Sequence, residues 1–380
     1  MKFNYGLTIF SFILYSKFCD AELLIAQVLI RHTQATPIAT DSIREYFPKI
    51  RENNVSMVPG TNQLTIDGQQ KALQLGAYFR RRYGFNDSFD KIYFRSQKTT
   101  TAWDTAELMA LGLLTECYTR DHNCLDAMHQ PNLDLLNSIP YYRMDFDVRD
   151  EDMLFSGSLN CTNYQQKFNS LISAQTKRMS NEMRKIYDYL SLNTGTEFNT
   201  CTQGWLLHQY LQTEANVGIP SANWTKNIFP NGALKNLTIL KYLTDSATPQ
   251  MRRLLGGAHI STFLHNVDNY VKGWENRRLL MYVADDYHIA GLLNALNVYD
   301  GKHVPDYGSY IALELHKVQD KLFVMLAYNN GTIKPDFTLY LPIPGCTDVC
   351  PLADFEKNFK SNTLRNFGKD CCNSTENKCN

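Results

Sequence analysis

The sequence predicts an α/β fold in which a core sheet carries helices on both faces and a long, mainly helical segment is inserted into it. Three observations lead there. Residues 23–30 form an almost unbroken apolar run, the pattern of a strand buried on both faces. Further apolar runs at 92–94 and 279–283 each lead into a stretch of helical periodicity. From about residue 116 to 268 the alternation disappears, leaving helices and loops rich in Tyr and Asn.

Taken in order, the first strand ends at Arg31-His32. The helix over 64–79 places Ala72, Leu75, Gly76 and Phe79 at i, i+3, i+4 and i+7. The strand at 92–94 runs into Arg95-Ser96 and a helix whose apolar face carries Ala102, Ala106, Met109 and Leu113. After the insertion, the strand at 279–283 leads to Asp285-Asp286 and a helix with Ile289, Leu292, Leu293 and Leu296 on one face. Residues 310–315 and 322–327 read as a hairpin. Three polar loops thus follow strand ends near 30, 94 and 284, the edge at which open α/β sheets bind ligands. The organisation expected is a leader at 1–21, core segments at 22–115 and 269–345, a helical cap at 116–268 and a cysteine-rich tail at 346–380.

Lys2, the apolar run 7–15 and the small-residue site ending at Ala21 have the form of a secretory signal, so the product is expected outside the cell without a membrane anchor. The remaining nine cysteines (Cys117, Cys124, Cys161, Cys201, Cys346, Cys350, Cys371, Cys372 and Cys379) lack zinc-ribbon spacing and are read as disulfide candidates. Cys346 with Cys350, and Cys117 with Cys124, are near enough for local loops, and others are expected to tie the tail to the body. Glycosylation sequons begin at Asn54, Asn86, Asn160, Asn223, Asn236, Asn330 and Asn373. Among 380 residues, 38 Lys and Arg balance 38 Asp and Glu, which argues against a nucleic-acid partner and a polybasic membrane binder. No set of His, Asp and Glu has metal-ligand spacing, and no cofactor is expected.

The loops also carry a resemblance. Residues 29–37, Leu-Ile-Arg-His-Thr-Gln-Ala-Thr-Pro, resemble the RHGxRxP signature of the histidine acid phosphatases. The helix from Leu64 to Tyr83 resembles that family's LTxxGxxQxxxLGxxLRxRY segment, with Lys71 in place of its glutamine. Arg95-Ser96 matches its RS motif, and Asp285-Asp286 stands where the family has HD. Residues 223–230 with Gly256-Gly257 are similar to insect venom and salivary members of branch 2. The resemblance spans nearly the whole chain and implies a phosphoglycerate-mutase-like core. It also implies a phosphohistidine mechanism in which His32 is the nucleophile, Arg31 and Arg95 clamp phosphate oxygens, and Asp286 protonates the leaving group.

Four positions depart from the pattern. Thr33 replaces glycine, Ala35 the second clamping arginine, Asp285 the histidine of HD, and Thr101 an arginine common farther along the second motif. The Ala35 and Asp285 changes alone shift the pocket by about three charge units toward negative. Phosphatase activity is therefore expected to be lost or vestigial. The altered pocket is expected to sequester a small cationic mediator, a biogenic amine, through Asp285, Asp286 and the aromatics Tyr287, Trp103, Tyr141 and Tyr142; an apolar lipid mediator is a second possibility. Competing readings are a phosphatase with residual turnover through His32, Arg31, Arg95 and Asp286, and an interaction protein with an unused pocket. Locally, Asp285 and Asp286 have helix-capping as their structural alternatives, and Asp285 a pairing with Arg31 or Arg95.

Overall fold

The computed structural model describes residues 21–50, 60–84, 91–114, 144–145, 153–155, 158, 161–331, 338–347 and 349–371. The expected leader, Cys117, Cys124, Cys372, Cys379, Tyr141, Tyr142, Asn54, Asn86, Asn160 and Asn373 lie outside the described residues, apart from Ala21 at the leader's end.

One eight-stranded sheet runs in the order β3-β2-β4-β1-β5-β6-β7, with β8 paired to β6. Strands β1 (Glu22–Arg31), β2 (Ile92–Ser96), β3 (Met144–Asp145) and β4 (Leu279–Ala284) are parallel. Strands β5 (Tyr310–Val318) and β6 (Lys321–Asn329) form the predicted hairpin, with β5 antiparallel to β1, and β7 (Leu339–Leu341) and β8 (Cys350–Pro351) extend that half. The sheet is therefore mixed, and its parallel half carries the polar loops.

Helices cover both faces. On one, α2 (Ile66–Tyr83) and α3 (Thr100–Leu114) set Ala72, Leu75, Phe79, Ala106 and Met109 against Val28, Ile30 and Phe94. Thr65 caps α2 by accepting from Gly68 N, and Gly84 closes it at φ 65°. On the other face, α9 (Ala258–Val271), α10 (Asp286–Ala295) and α11 (Leu352–Phe359) pack on Ile25, Leu29, Leu280 and Leu313. A π-turn at Arg253–Gly257 precedes α9, and a Cβ at Gly256 would lie 2.1 Å from the Gly291 carbonyl oxygen. Glycine there lets the turn press on α10, whose first residues lie in the polar loop.

A third layer comprises α1 (Thr40–Tyr46), α4 (Thr162–Lys177), α5 (Asn181–Thr194), α6 (Cys201–Asn216), α7 (Ala233–Asp245) and the short α8 (Pro249–Arg252). Its core gathers Ile43, Phe47, Leu190, Leu207, Leu211 and Leu237. Thr200 and Gln203 form a reciprocal capping box that starts α6.

Cys346 is bonded to Cys350, as the short spacing suggested. Cys161, at the start of α4, and Cys371, in α12 (Phe367–Cys371), meet in one buried cluster, their thiols in hydrogen-bonding contact. Burial pushes the Cys161 thiol up to about 12. A nonreducing peptide map of protein matured in an oxidising compartment is expected to contain a Cys161–Cys371 crosslink, and recovery of both as free thiols would contradict it. Cys201 is buried elsewhere, beside Thr244. Of the sequon asparagines, Asn223 and Asn236 are exposed and Asn330 is half-buried.

Candidate active site

Strand register brings the three loops to one edge. Arg31 pairs with Ala284, and Ser96 with Val283, so β1, β2 and β4 end side by side. Backbone bonds from His32 N to Ala284 O and from Gln97 N to Val283 O continue the ladder into the loops. His32, Gln97, Asp285 and Asp286 consequently meet.

His32 Nδ1 lies 2.8 Å from the Thr33 carbonyl oxygen, which identifies Nδ1 as the protonated nitrogen and leaves the Nε2 lone pair facing the site. Asp285 Oδ1 stands 3.6 Å from that Nε2. Burial pushes the imidazole below its ordinary value, against the opposing pull of Asp285. Burial likewise pushes the Asp285 carboxyl up, against the pull of His32. Asp285 occupies the N-cap position of α10, but its side chain does not cap. Its Oδ2 instead accepts from Gln97 Nε2 at 3.0 Å, while its backbone N donates to Gln97 Oε1. Neither structural alternative considered for Asp285 is what forms: it pairs with His32 rather than Arg31 or Arg95.

Asp286 is the first residue of α10, not its cap, and is buried. Its Oδ2 accepts from Tyr242 OH at 2.6 Å, Gln209 Nε2 at 2.5 Å and the Trp205 indole at 3.4 Å, and lies 3.9 Å from Arg31. Its Oδ1 is buried with no hydrogen-bond partner among the described residues.

Arg31 is 1% exposed and its guanidinium is committed inward. Nη1 donates to Pro305 O at 2.7 Å, Nη2 to Gln209 Oε1 at 2.8 Å, and the group lies 4.1 Å above the Tyr307 ring. Gln209 therefore bridges Arg31 and Asp286, fixing both.

The altered positions are packed, not open. Thr33 is fully buried, its N donating to Thr105 Oγ1, and Thr105 donates to Thr101 O one turn back. Ala35 is buried, its carbonyl accepting from Asn216 Nδ2. The β-branched chain at 33 and the threonines of α3 thus stand together beside His32. Lys71 donates to the carbonyls of Tyr307 and Gly331, and the charges of Asp306 and Arg31 both act on it. Taking the place of the motif's glutamine, it restores one positive charge near the site, so the expected swing of about three units shrinks to about two.

Arg95 is not brought to this group. By strand alternation it faces the α9–α10 side of β2, at the level of Tyr282, with its guanidinium 5.7 Å from the Phe155 ring centroid and near His259. Its expected role as a phosphate clamp is not what this placement offers. Trp103 is likewise elsewhere, hydrogen-bonded to Glu107 on the same helix. Tyr287 is at the site, with Gln97 Nε2 3.4 Å from its hydroxyl, but its ring is engaged: Lys241 Nζ sits 4.8 Å from it and 4.6 Å from the Trp205 ring, and 2.5 Å from Asp245 Oδ2. Sequence reasoning missed Gln97, Trp205, Gln209, Tyr242, Lys241 and Tyr307. The signal available was the stripe Trp205, Gln209, Gln212 at i, i+4, i+7 on α6. Among the described residues no group of three or more His, Cys, Asp or Glu is arranged to hold a metal ion, and no helix is long and apolar enough to cross a membrane.

Comparison with known proteins identifies the family. A model of the histidine phosphatase superfamily (branch 2) matches residues 21–329. The chain belongs to that superfamily. It is 28% identical over 347 residues to venom acid phosphatase Acph-1 of Apis mellifera, covering 88% of this chain and 84% of that one. It is 27% identical over 358 residues to prostatic acid phosphatase of Rattus norvegicus, covering 92% and 89%. In fold it is similar to the phytase of Klebsiella sp ASR1, with a TM-score of 0.63 at 14% identity over 92% of this chain and 99% of that one. A phytase of Hafnia alvei in complex with tartrate gives a TM-score of 0.61, also at 14% identity, over 90% and 98%.

Proposed function

We propose that this chain is a secreted member of the superfamily whose phosphomonoesterase turnover is lost or vestigial, and whose pocket holds a small cationic molecule instead. The observation that carries this reading is Asp285 Oδ1, 3.6 Å from the nucleophilic nitrogen of His32. A phosphate dianion approaching Nε2 meets that carboxylate. At about 4 Å and an effective dielectric near 20, a like-charge contact costs about 4 kcal/mol. Of the clamps, Arg31 has Nη1 on Pro305, Nη2 on Gln209 and its face on Tyr307, with Nε alone lacking a partner among the described residues, and Ala35 and Thr101 supply none. The leader-like N-terminus and the venom relative support an extracellular setting.

A second reading has its own support. His32 keeps the tautomer required to attack phosphorus through Nε2, expel the ester oxygen with its electron pair and form a phosphohistidine that water then cleaves. The relatives are named as acid phosphatases. Steady-state assay with an aryl phosphate decides between the two. Turnover below about 1 s⁻¹, the low end of ordinary enzyme rates, is expected. Robust turnover abolished by His32→Ala would establish the phosphatase.

A further inference from the structure

We infer that the cationic group this site takes is a primary ammonium, recognised through hydrogen-bond acceptors, and that quaternary ammonium groups are excluded. This deepens the cationic reading above and rests on it.

Cations are recognised in proteins by two distinct chemistries. A quaternary ammonium has no N–H and is held by aromatic faces; a primary ammonium brings three donors and needs acceptors. The aromatic rings described at this site are already engaged. Trp205 and Tyr287 flank Lys241 Nζ at 4.6 and 4.8 Å, and Asp245 completes that cage at 2.5 Å. The cage is thus a working ammonium site whose occupant is the chain's own lysine. Tyr307 is covered by the Arg31 guanidinium at 4.1 Å. Trp103 is bonded to Glu107 on α3.

What the site leaves available is acceptors. Asp286 is 2% exposed; its Oδ2 is saturated by Tyr242, Gln209 and Trp205, while its Oδ1 has no partner among the described residues. A buried carboxylate oxygen without a donor is unfavourable in a folded protein and marks a place where a donor is expected. Asp285, 26% exposed, binds Gln97 through Oδ2 and leaves Oδ1 at 3.6 Å from His32, longer than a hydrogen bond. His32 Nε2 carries a lone pair, since Nδ1 is bonded to the Thr33 carbonyl. These are three acceptors, two of them carboxylate oxygens, equal in number to the three donors of an R–NH₃⁺ group. The charges of Asp285 and Asp286 both act on His32, which places the three groups within one electrostatic neighbourhood. Trimethylation of the ligand would remove every donor and add bulk, while the aromatic rings described at the site are already engaged.

The test is isothermal titration of the full chain at neutral pH with 2-phenylethylamine and with its N,N,N-trimethyl derivative, which share one skeleton. The primary amine is expected to bind and the trimethyl compound to bind at least about 100-fold more weakly. Asp285→Asn, which conserves shape and the Gln97 contact, is expected to weaken the primary amine by at least about tenfold. Trimethyl binding as tight as the primary amine's would overturn this inference and leave the cationic reading standing. So would an unchanged affinity for the primary amine in Asp285→Asn. Failure of both compounds to bind would end the inference and the cationic reading together. In Lys241→Ala protein, which keeps Asp245, the vacated cage is expected to restore affinity for the trimethyl compound, and no gain there would contradict the account of the aromatic faces.

Discussion

Replacing Asp285 by histidine is expected to raise kcat/KM for an aryl phosphate by about two orders of magnitude. The argument is electrostatic. Asp285 Oδ1 lies 3.6 Å from the nitrogen that must meet phosphorus, so the carboxylate acts on any phosphate bound in line with it. The full like-charge penalty of about 4 kcal/mol is an upper figure, because Asp285 is partly exposed and burial already raises its proton affinity. Discounting to about 3 kcal/mol gives about a hundredfold in rate, at 1.4 kcal/mol per tenfold. Asp285→Asn removes the charge without supplying a cation and should recover most of the gain; Asp285→Glu should recover none. Adding Thr101→Arg should multiply the effect, since Thr101 stands one turn from Thr105, which touches Thr33 next to His32. If Asp285→His and Asp285→Asn both leave the rate at the starting level in folded protein, charge at this position is not what limits turnover. The account of the pocket would then fail at its central residue.

The parts of this site legible in the sequence are those that a strand end presents locally. The apolar run of β1 announces Arg31-His32, and the apolar run of β4 announces Asp285-Asp286, because parallel strands put consecutive loops on one edge. Arg95 misled for a related reason. It lies within β2 at the level of Tyr282, whereas Arg31 reaches the level of Ala284, so the two arginines share a face but not a depth. Trp103 misled through helical geometry. Thr101 and Thr105 turn toward Thr33, and a residue midway between them projects from the opposite side of α3. The residues that set the state of Asp286 come from α6 and α7, between 44 and 81 positions away in sequence, and nothing local in their spacing names the partner. The tail illustrates the opposite case. A four-residue spacing was enough to pair Cys346 with Cys350, whereas the meeting of Cys161 with Cys371 required the fold.

Acidification from about pH 7 to about pH 4 is expected to destabilise the fold steeply, and the cause is buried neutral histidine. Burial pushes His208 down to about 4, His259 to about 3 and His288 well below its ordinary value. His259 and His288 are buried with ring centroids 6.0 Å apart, and none of their four ring nitrogens has a hydrogen-bond partner among the described residues. Protonating either would place a charge in apolar surroundings beside Phe155. The sign follows from linkage. The folded values lie below the unfolded value of about 6.5, so between them the unfolded chain binds more protons and stability rises with pH. That stability is fully present above about pH 6.5 and is lost as pH falls toward the folded values. Each group contributes about 1.4 kcal/mol per pH unit in that window, so three contribute about 4. Asp285 and Asp245, whose burial raises their proton affinity, act in the opposite sense and soften the slope. Against a typical total of about 5–15 kcal/mol, a loss of several kcal/mol by about pH 4.5 is large. Denaturant unfolding at a series of pH values measures it directly, and the His259→Phe, His288→Phe protein should show a flatter profile if it folds. A midpoint that does not move between about pH 6.5 and 4.5 would refute the neutral-histidine account. The same slope governs how an acid phosphatase assay on this chain must be read, because activity lost below about pH 5 would report unfolding before it reported the chemistry of His32.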